Sequence, residues 1–202
     1  MSKIIAIMLL LCFGMMLFGC ADDNGGRKAG RQKTIVVTDS VGRKVELPYP
    51  LERVAVCNVY NAELITAVGA IDKIVGVDNY IFKDQSGFKN RFNEAQVFGI
   101  SQNAMNYEKL AELEPQAVII TGEGTWRDAQ EMLDRFGIKV IVINSYYTDQ
   151  FADNCRLIGR IFGREEQAEE LVNYFNDKLA YIQKQLQGVP RRSLYFEYRT
   201  LG

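Results

Sequence analysis

Four short apolar runs, each leading into a turn or a helical pattern, constrain this chain more than anything else in it. They are Val54–Cys57 (VAVC), Lys73–Val77 (KIVGV), Gln116–Thr121 (QAVIIT) and Ile138–Asn144 (IKVIVIN). None alternates apolar with polar residues, as a strand with one wet face does. Runs of this kind are strands covered on both faces. Between the first two, Asn61 reads as an N-cap. Leu64, Ile65 and Val68 share one helical face there, and Gly69 is a stop signal. Strand, helix and strand joined by short connections are the grammar of a parallel sheet. The grammar repeats. Gln96–Phe98 is a short strand, and Asn106 caps a helix that ends at Pro115. A Gly-rich turn then opens a helix with Met132, Leu133 and Phe136 apolar, stopped at Gly137. The pattern predicts an α/β fold, a Rossmann-like doubly wound parallel sheet, over residues 34–147. At its start, Ile35–Thr38 and Lys44–Leu47 flank the turn residues DSVG and read as a hairpin, which Pro48 and Pro50 close off.

Beyond Tyr147 the period changes. Phe151, Cys155, Ile158 and Phe162 form a helical stripe, and Gly163 interrupts it. Leu171, Phe175, Leu179, Ile182 and Leu186 form a second stripe on a helix expected from Arg164 to Gln187. At 1.5 Å per residue that helix is about 35 Å long, enough to cross a domain. Residues 148–188 are therefore expected to be linking helices. After the turn signals Gly188 and Pro190, Ser193–Tyr198 (SLYFEY) is strand-like. Residues 189–202 are expected to begin a C-terminal α/β lobe that is largely absent from this sequence, a truncated one.

The first nineteen residues read as a signal peptide. Lys3 supplies the positive start, and Ile4–Phe18 is uncharged and apolar. The run is short for a membrane span, which needs about 20 apolar residues. It ends LFGC, which looks like a bacterial lipobox with Cys20 as the lipidated residue, although Phe18 is bulky for its place. The alternative is a plain secretory signal with a chance cysteine. The polar, Gly-rich stretch that follows favours the anchor, because residues 20–33 read as a flexible tether. The expected location is the cell envelope, with the chain lipid-anchored to the membrane. There Cys57 and Cys155 either form a disulfide or stay as buried thiols, the thiols being favoured.

The 202 residues contain no histidine, which removes imidazole acid–base catalysis, Ser-His and Cys-His pairs, and imidazole metal sites. The net charge is −1, so no basic field attracts nucleic acid. An envelope α/β hydrolase is the least favoured class, since no serine sits in a GxSxG context.

These segments together resemble the substrate-binding proteins of ABC importers for ferric siderophores, haem and cobalamin. TDSVGRKVELP followed by ERVAV resembles that family's opening. ELITAVGAIDKIVGV looks like its first helix, glycine stop and second strand. NYEKLAELEPQAVII resembles a recurrent block in which Gln116 stands where Asp is usual, and LDRFGIKVIVI with the long helix completes the match. The resemblance spans Thr34 to about Tyr198. It implies two α/β lobes joined by a rigid helix, a ligand held between them, and delivery to a membrane permease and its ATPase. It implies no enzyme activity and no cofactor. The expected cargo is a metal chelate, a ferric siderophore first, with haem or cobalamin as options. A chain without histidine suits a preformed chelate better than a bare cation; ferric iron held by Tyr and Glu is the less favoured route. A stand-alone interaction domain or a non-functional truncated receptor remains the alternative.

In doubly wound lobes, ligands meet the loops that follow the strands' C-terminal ends. Those loops carry the candidate ligand-binding residues Asn58, Tyr60, Tyr80, Trp126 and Tyr147. Aromatic rings give wide contact at small entropy cost, with a polar tip for orientation. The resemblance also implies a surface carboxylate that meets the permease. Asp128 is the first candidate and Glu63 the second.

Overall fold

The computed structural model describes residues 33–84 and 86–196. The expected signal peptide, Cys20 and nearly all of the tether lie outside the described residues. From Lys33 onward the chain clusters as one unit.

Two sheets form. The hairpin strands β1 (Thr34–Thr38) and β2 (Lys44–Pro48) pair antiparallel. The other five strands are β3 (Val54–Val56), β4 (Ile74–Asp78), β5 (Val97–Gly99), β6 (Ala117–Ile120) and β7 (Lys139–Val142). All their pairings are parallel, in the order β5-β4-β3-β6-β7. The chain builds outward from β3 through β4 to β5, then returns to the other side of β3. The order therefore reverses between β3 and β6, which is the topological switch point of a doubly wound sheet.

Alternate residues of each strand enter different cores. Val54, Val56, Ile119 and Ile141 pack with α1 (Val59–Ala67), α5 (Phe151–Phe162) and the start of α6 (Glu165–Gln185). Ala55, Cys57, Val118, Ile120, Val140 and Val142 pack with α3 (Tyr107–Glu112) and α4 (Trp126–Asp134). This explains the runs without alternation: both faces of each strand are dry. Cys57 and Cys155 are free, buried, and on opposite sides of the sheet. Burial pushes the Cys57 thiol well above its usual range and Cys155 up to about 11.

The DSVG turn does more than join two strands. The buried Asp39 carboxylate accepts from the Val41 and Arg43 amides and pairs with the Arg43 guanidinium at 2.6 Å. It also accepts from the Val142 amide at 3.3 Å, while the Ser40 amide donates to the Val142 carbonyl at 2.9 Å. The turn thus satisfies backbone groups on the edge strand β7 that would otherwise be open to pairing.

Three expectations need correction. The cap of α1 is Asn58, whose side chain accepts from the Tyr60 amide. Asn61 lies one turn inside the helix and is fully buried. Its amide group donates to the Cys57 carbonyl, and its oxygen accepts from the Ser145 hydroxyl. Residues 148–188 are not simply linkers: Cys155, Ile158, Ile161 and Phe162 of α5 and Ala168 and Val172 of α6 belong to the lobe's core. Finally, Ser193–Phe196 forms no strand, and Leu194, Tyr195 and Phe196 are exposed. A strand needs a ladder partner, and the described residues offer it none. The rest of that run lies outside the described residues.

Candidate functional site

The C-terminal ends of β3, β4, β5 and β6 open onto a groove of about 600 Å³. Its walls come from four loops: Asn58–Tyr60, Asp78–Tyr80, Ser101–Asn103 and Thr121–Glu123, with Glu63 of α1 beside them. It spans the switch point, where two crossover connections part and leave a crevice.

One buried carboxylate organises half of this groove. Asp78, only 2% exposed, ends β4. One of its oxygens accepts from the Ile81 amide at 2.9 Å and caps α2 (Asn79–Lys83). The other accepts from the Asn58 amide at 3.0 Å. Asn58 sits at φ +78°, and its side-chain oxygen takes the Tyr60 amide at 2.9 Å. Asp78 therefore fixes the start of both tyrosine-bearing segments. Burial raises its pKa; the amide donors partly oppose that rise.

The other half is held by an amide. The Gln102 side-chain oxygen accepts from both the Thr121 amide (2.9 Å) and the Thr121 hydroxyl (2.8 Å), and its nitrogen donates to the Glu123 carbonyl. Asn144 accepts from the Gly122 amide at 2.7 Å. The loops after β5, β6 and β7 are thereby tied together side by side. The Tyr146 hydroxyl donates to the Glu123 carboxylate at 3.0 Å. Burial, Tyr147 and Glu123 all push the Tyr146 phenol well above its usual value.

The groove offers ring faces, neutral hydrogen-bonding groups and the exposed carboxylates of Glu63 and Glu123. Tyr60 is 54% exposed and Tyr80 63%, so both rings are open to contact. Tyr60 also walls a smaller, mostly apolar hollow of about 240 Å³, lined by Glu63, Leu64, Ala67, Ser145, Phe151 and Leu171. Such a surface can hold a large, partly apolar molecule by contact. Among the described residues, no group of three or more His, Cys, Asp or Glu side chains could hold a metal ion. No described helix is long and apolar enough to cross a membrane.

Of the expected ligand residues, the groove brings together Asn58, Tyr60 and Tyr80. Trp126 is not part of it. The indole is 8% exposed, packed in the α3–α4 core between the guanidinium groups of Arg43 (4.3 Å) and Arg127 (4.2 Å). Its place at the first residue of α4 turns it toward the core and away from the β6 loop's tip. Tyr147 also lies outside the groove, its ring tilted against that of Tyr146 with centroids 4.4 Å apart. Of the two expected docking carboxylates, Asp128 is exposed in the first turn of α4, whereas Glu63 lines the groove. Sequence reasoning missed Ser101–Asn103 and the double duty of Asp78. The polar run SQN directly after β5 was the available signal for the first.

A family profile described as periplasmic binding protein matches residues 54–198. Over 200 residues the chain is 24% identical to the "Uncharacterized ABC transporter substrate-binding lipoprotein YvrC" of Bacillus subtilis, covering 93% of this chain and 61% of that protein. It is 27% identical over 186 residues to the "Iron(3+)-hydroxamate-binding protein YxeB" of the same organism, covering 91% and 53%. A solved periplasmic solute binding protein from Veillonella parvula superposes with a TM-score of 0.60 at 26% identity, covering 78% of this chain and 50% of the other. The chain thus spans about half to three-fifths of the length of the proteins it matches.

Proposed function

The chain belongs to the periplasmic binding protein family, and from that premise we propose that it is the ligand-capturing component of an ABC importer. Its cargo is a preformed metal chelate, a ferric siderophore before haem or cobalamin, taken up without covalent chemistry. The observation that carries this reading is the 600 Å³ groove at the switch point with two half-exposed tyrosines on its walls. Tyr60 and Tyr80 supply the ring contacts; Asn58, Gln102 and Thr121 shape the floor. Cys20 carries the lipid that holds the protein at the envelope, and residues 20–33 tether it. Asp128, exposed on α4, meets the permease. Glu63, which faces the groove, serves the ligand side instead.

The distal face of α6 fits the same reading. Leu179, Ile182 and Leu186 are exposed on it, and a second lobe beginning near residue 189 would cover them. That lobe would also supply the facing wall of the groove.

Titration of the ¹⁵N-labelled chain with gallium(III)-loaded siderophores and with cobalamin tests the reading. Gallium keeps the coordination of ferric iron without its paramagnetism. Amide shifts are expected at residues 58–60, 78–80 and 101–103, and weaker binding is expected for Tyr60→Ala and Tyr80→Ala. Affinity will be low, because one open wall gives a ligand only part of its contacts. Shifts confined to other surfaces, or none with any chelate, would overturn the proposal.

A further inference from the structure

The charge on the groove narrows what it accepts; this step rests on the reading of the groove as a chelate site. Among the described residues its lining includes three carboxylates, Glu63, Asp78 and Glu123, and no lysine or arginine. Asp78 has both oxygens engaged by backbone amides. Glu63 and Glu123 are exposed; the Glu123 carboxylate accepts from the Tyr146 hydroxyl, and among the described residues it forms no ion pair with a cation. The remaining polar lining groups are amides and hydroxyls, which are neutral.

The nearby cations are committed elsewhere. Arg43 is paired with Asp39, donates to the Val140 carbonyl and lies over one face of Trp126. Arg127 lies over the same indole. Lys83 and Lys109 line a separate hollow at the β5 edge. An anionic ligand entering the groove would meet two exposed carboxylates with no partner for its own charge. Like charges brought together in a partly desolvated site repel, and building such repulsion is a direct route to discrimination.

We propose that this groove selects ferric chelates of zero or positive net charge and rejects anionic ones. Three hydroxamates, each a monoanion, neutralise Fe³⁺ and give an uncharged core. Three catecholates, each a dianion, leave a net charge of −3, and ferric citrate and haem also carry free carboxylates. The first class meets no repulsion from Glu63 and Glu123; the second does.

One chelate can be made in three charge states. The gallium complex of desferrioxamine B is a cation through its terminal ammonium. Acetylation of that amine makes it neutral, and succinylation makes it an anion, with the metal core unchanged. The full chain, titrated by amide shifts in low salt, is expected to bind the cation and the neutral form at least tenfold more tightly than the anion. The difference should shrink to less than threefold in the Glu63→Gln/Glu123→Gln variant. It should also shrink in high salt, where exposed charges are screened. Both glutamates are exposed, so the variant is expected to fold, and its amide spectrum checks that. Equal or tighter binding of the anion, or an order that the double variant leaves unchanged, overturns the inference. Binding of a gallium tris-catecholate in preference to all three does so too, while leaving the chelate reading intact. No shift with any of the four overturns that reading, and this inference with it.

Discussion

The two halves of α6 carry one continuous apolar stripe and meet opposite surroundings. In the first half Ala168 and Val172 are fully buried against the lobe, and Phe175 stacks on Phe151 at 4.2 Å. In the second half Leu179, Ile182 and Leu186 continue the stripe into solvent. Sequence spacing cannot separate the halves, because periodicity records which face is apolar and not what covers it. Stability can separate them. A residue contributes through the water it gives up, so the halves should differ by an order of magnitude in what their side chains are worth.

The largest contrast should lie between the sheet and the distal helix. Ile119 is fully buried on β6, flanked by β3 and β7. Ile119→Ala is expected to cost about 2–5 kcal/mol. Ile182→Ala removes the same atoms from a half-exposed site, and its cost should be at most about 0.5 kcal/mol. Urea unfolding followed by circular dichroism measures both. Similar losses at the two positions would mean that the distal half is packed in solution, and the comparison would fail.

Gly159 sharpens the near side of the contrast. A Cβ at that position would stand 2.5 Å from the Cβ of Ala168 and 3.0 Å from the Arg164 carbonyl. The absence of a side chain is what lets α6 leave α5 so closely. Helix propensity alone predicts that alanine gains about 1 kcal/mol here. The steric conflict predicts a net loss of about 1–3 kcal/mol, and the sign of the measured change decides which effect wins.

Asp78→Asn probes the groove end of the lobe. Asparagine keeps one acceptor but sets an amino group against either the Asn58 or the Ile81 amide, at an expected cost of about 1–2 kcal/mol at neutral pH. The pH dependence carries a sign. Burial raises the folded-state pKa of Asp78 above its ordinary 3.8. The folded state therefore holds this proton more tightly than the unfolded chain. The stability so gained is complete below about pH 3.8 and is lost as pH rises through the folded value. The deficit of Asp78→Asn relative to the parent should be larger at pH 4 than at pH 7. A deficit that grows toward neutrality would show that amide bonding, and not burial, sets the protonation of this group. Amide shifts at Tyr60 and Tyr80 in the variant would show whether both loops depend on it.

Most of the sheet was legible in the sequence. Runs such as VIIT and IVIN left no choice but two dry faces, and Gly69, Gly137 and Gly163 all sit at positive φ where the helix stops were read. The site was legible only to the loop. Tyr60 and Tyr80 follow strand ends on short helices that point them outward. Trp126 follows one too, but it opens a helix whose face packs between Arg43 and the α3 side, which only the tertiary arrangement decides. Asn61 had the chemistry of a cap, yet Asn58 was three residues nearer the strand end and could reach the Tyr60 amide. Asp78 looked like any loop acid, because its second partner lies 20 residues away in sequence.

The smallest expected effect on stability is also the most telling about the distal half of α6. Ile182→Ser with Leu186→Ser should change the unfolding free energy by no more than about 0.5 kcal/mol, since both side chains are already half exposed in the folded chain. Association is where the pair should matter. Leu179, Ile182, Leu186 and Val189 expose apolar surface, as do Leu194, Tyr195 and Phe196 further along the chain. A patch of that kind on a soluble chain drives contact between molecules. Sedimentation velocity across a concentration series should show the parent chain self-associating and the double variant shifted toward monomer, with equal unfolding midpoints at low concentration. If the variant lost stability as a monomer, the stripe would be folded against its own chain. If the two associated alike, the distal face would not be the sticky one, and the proposal that a second lobe covers it would lose its support.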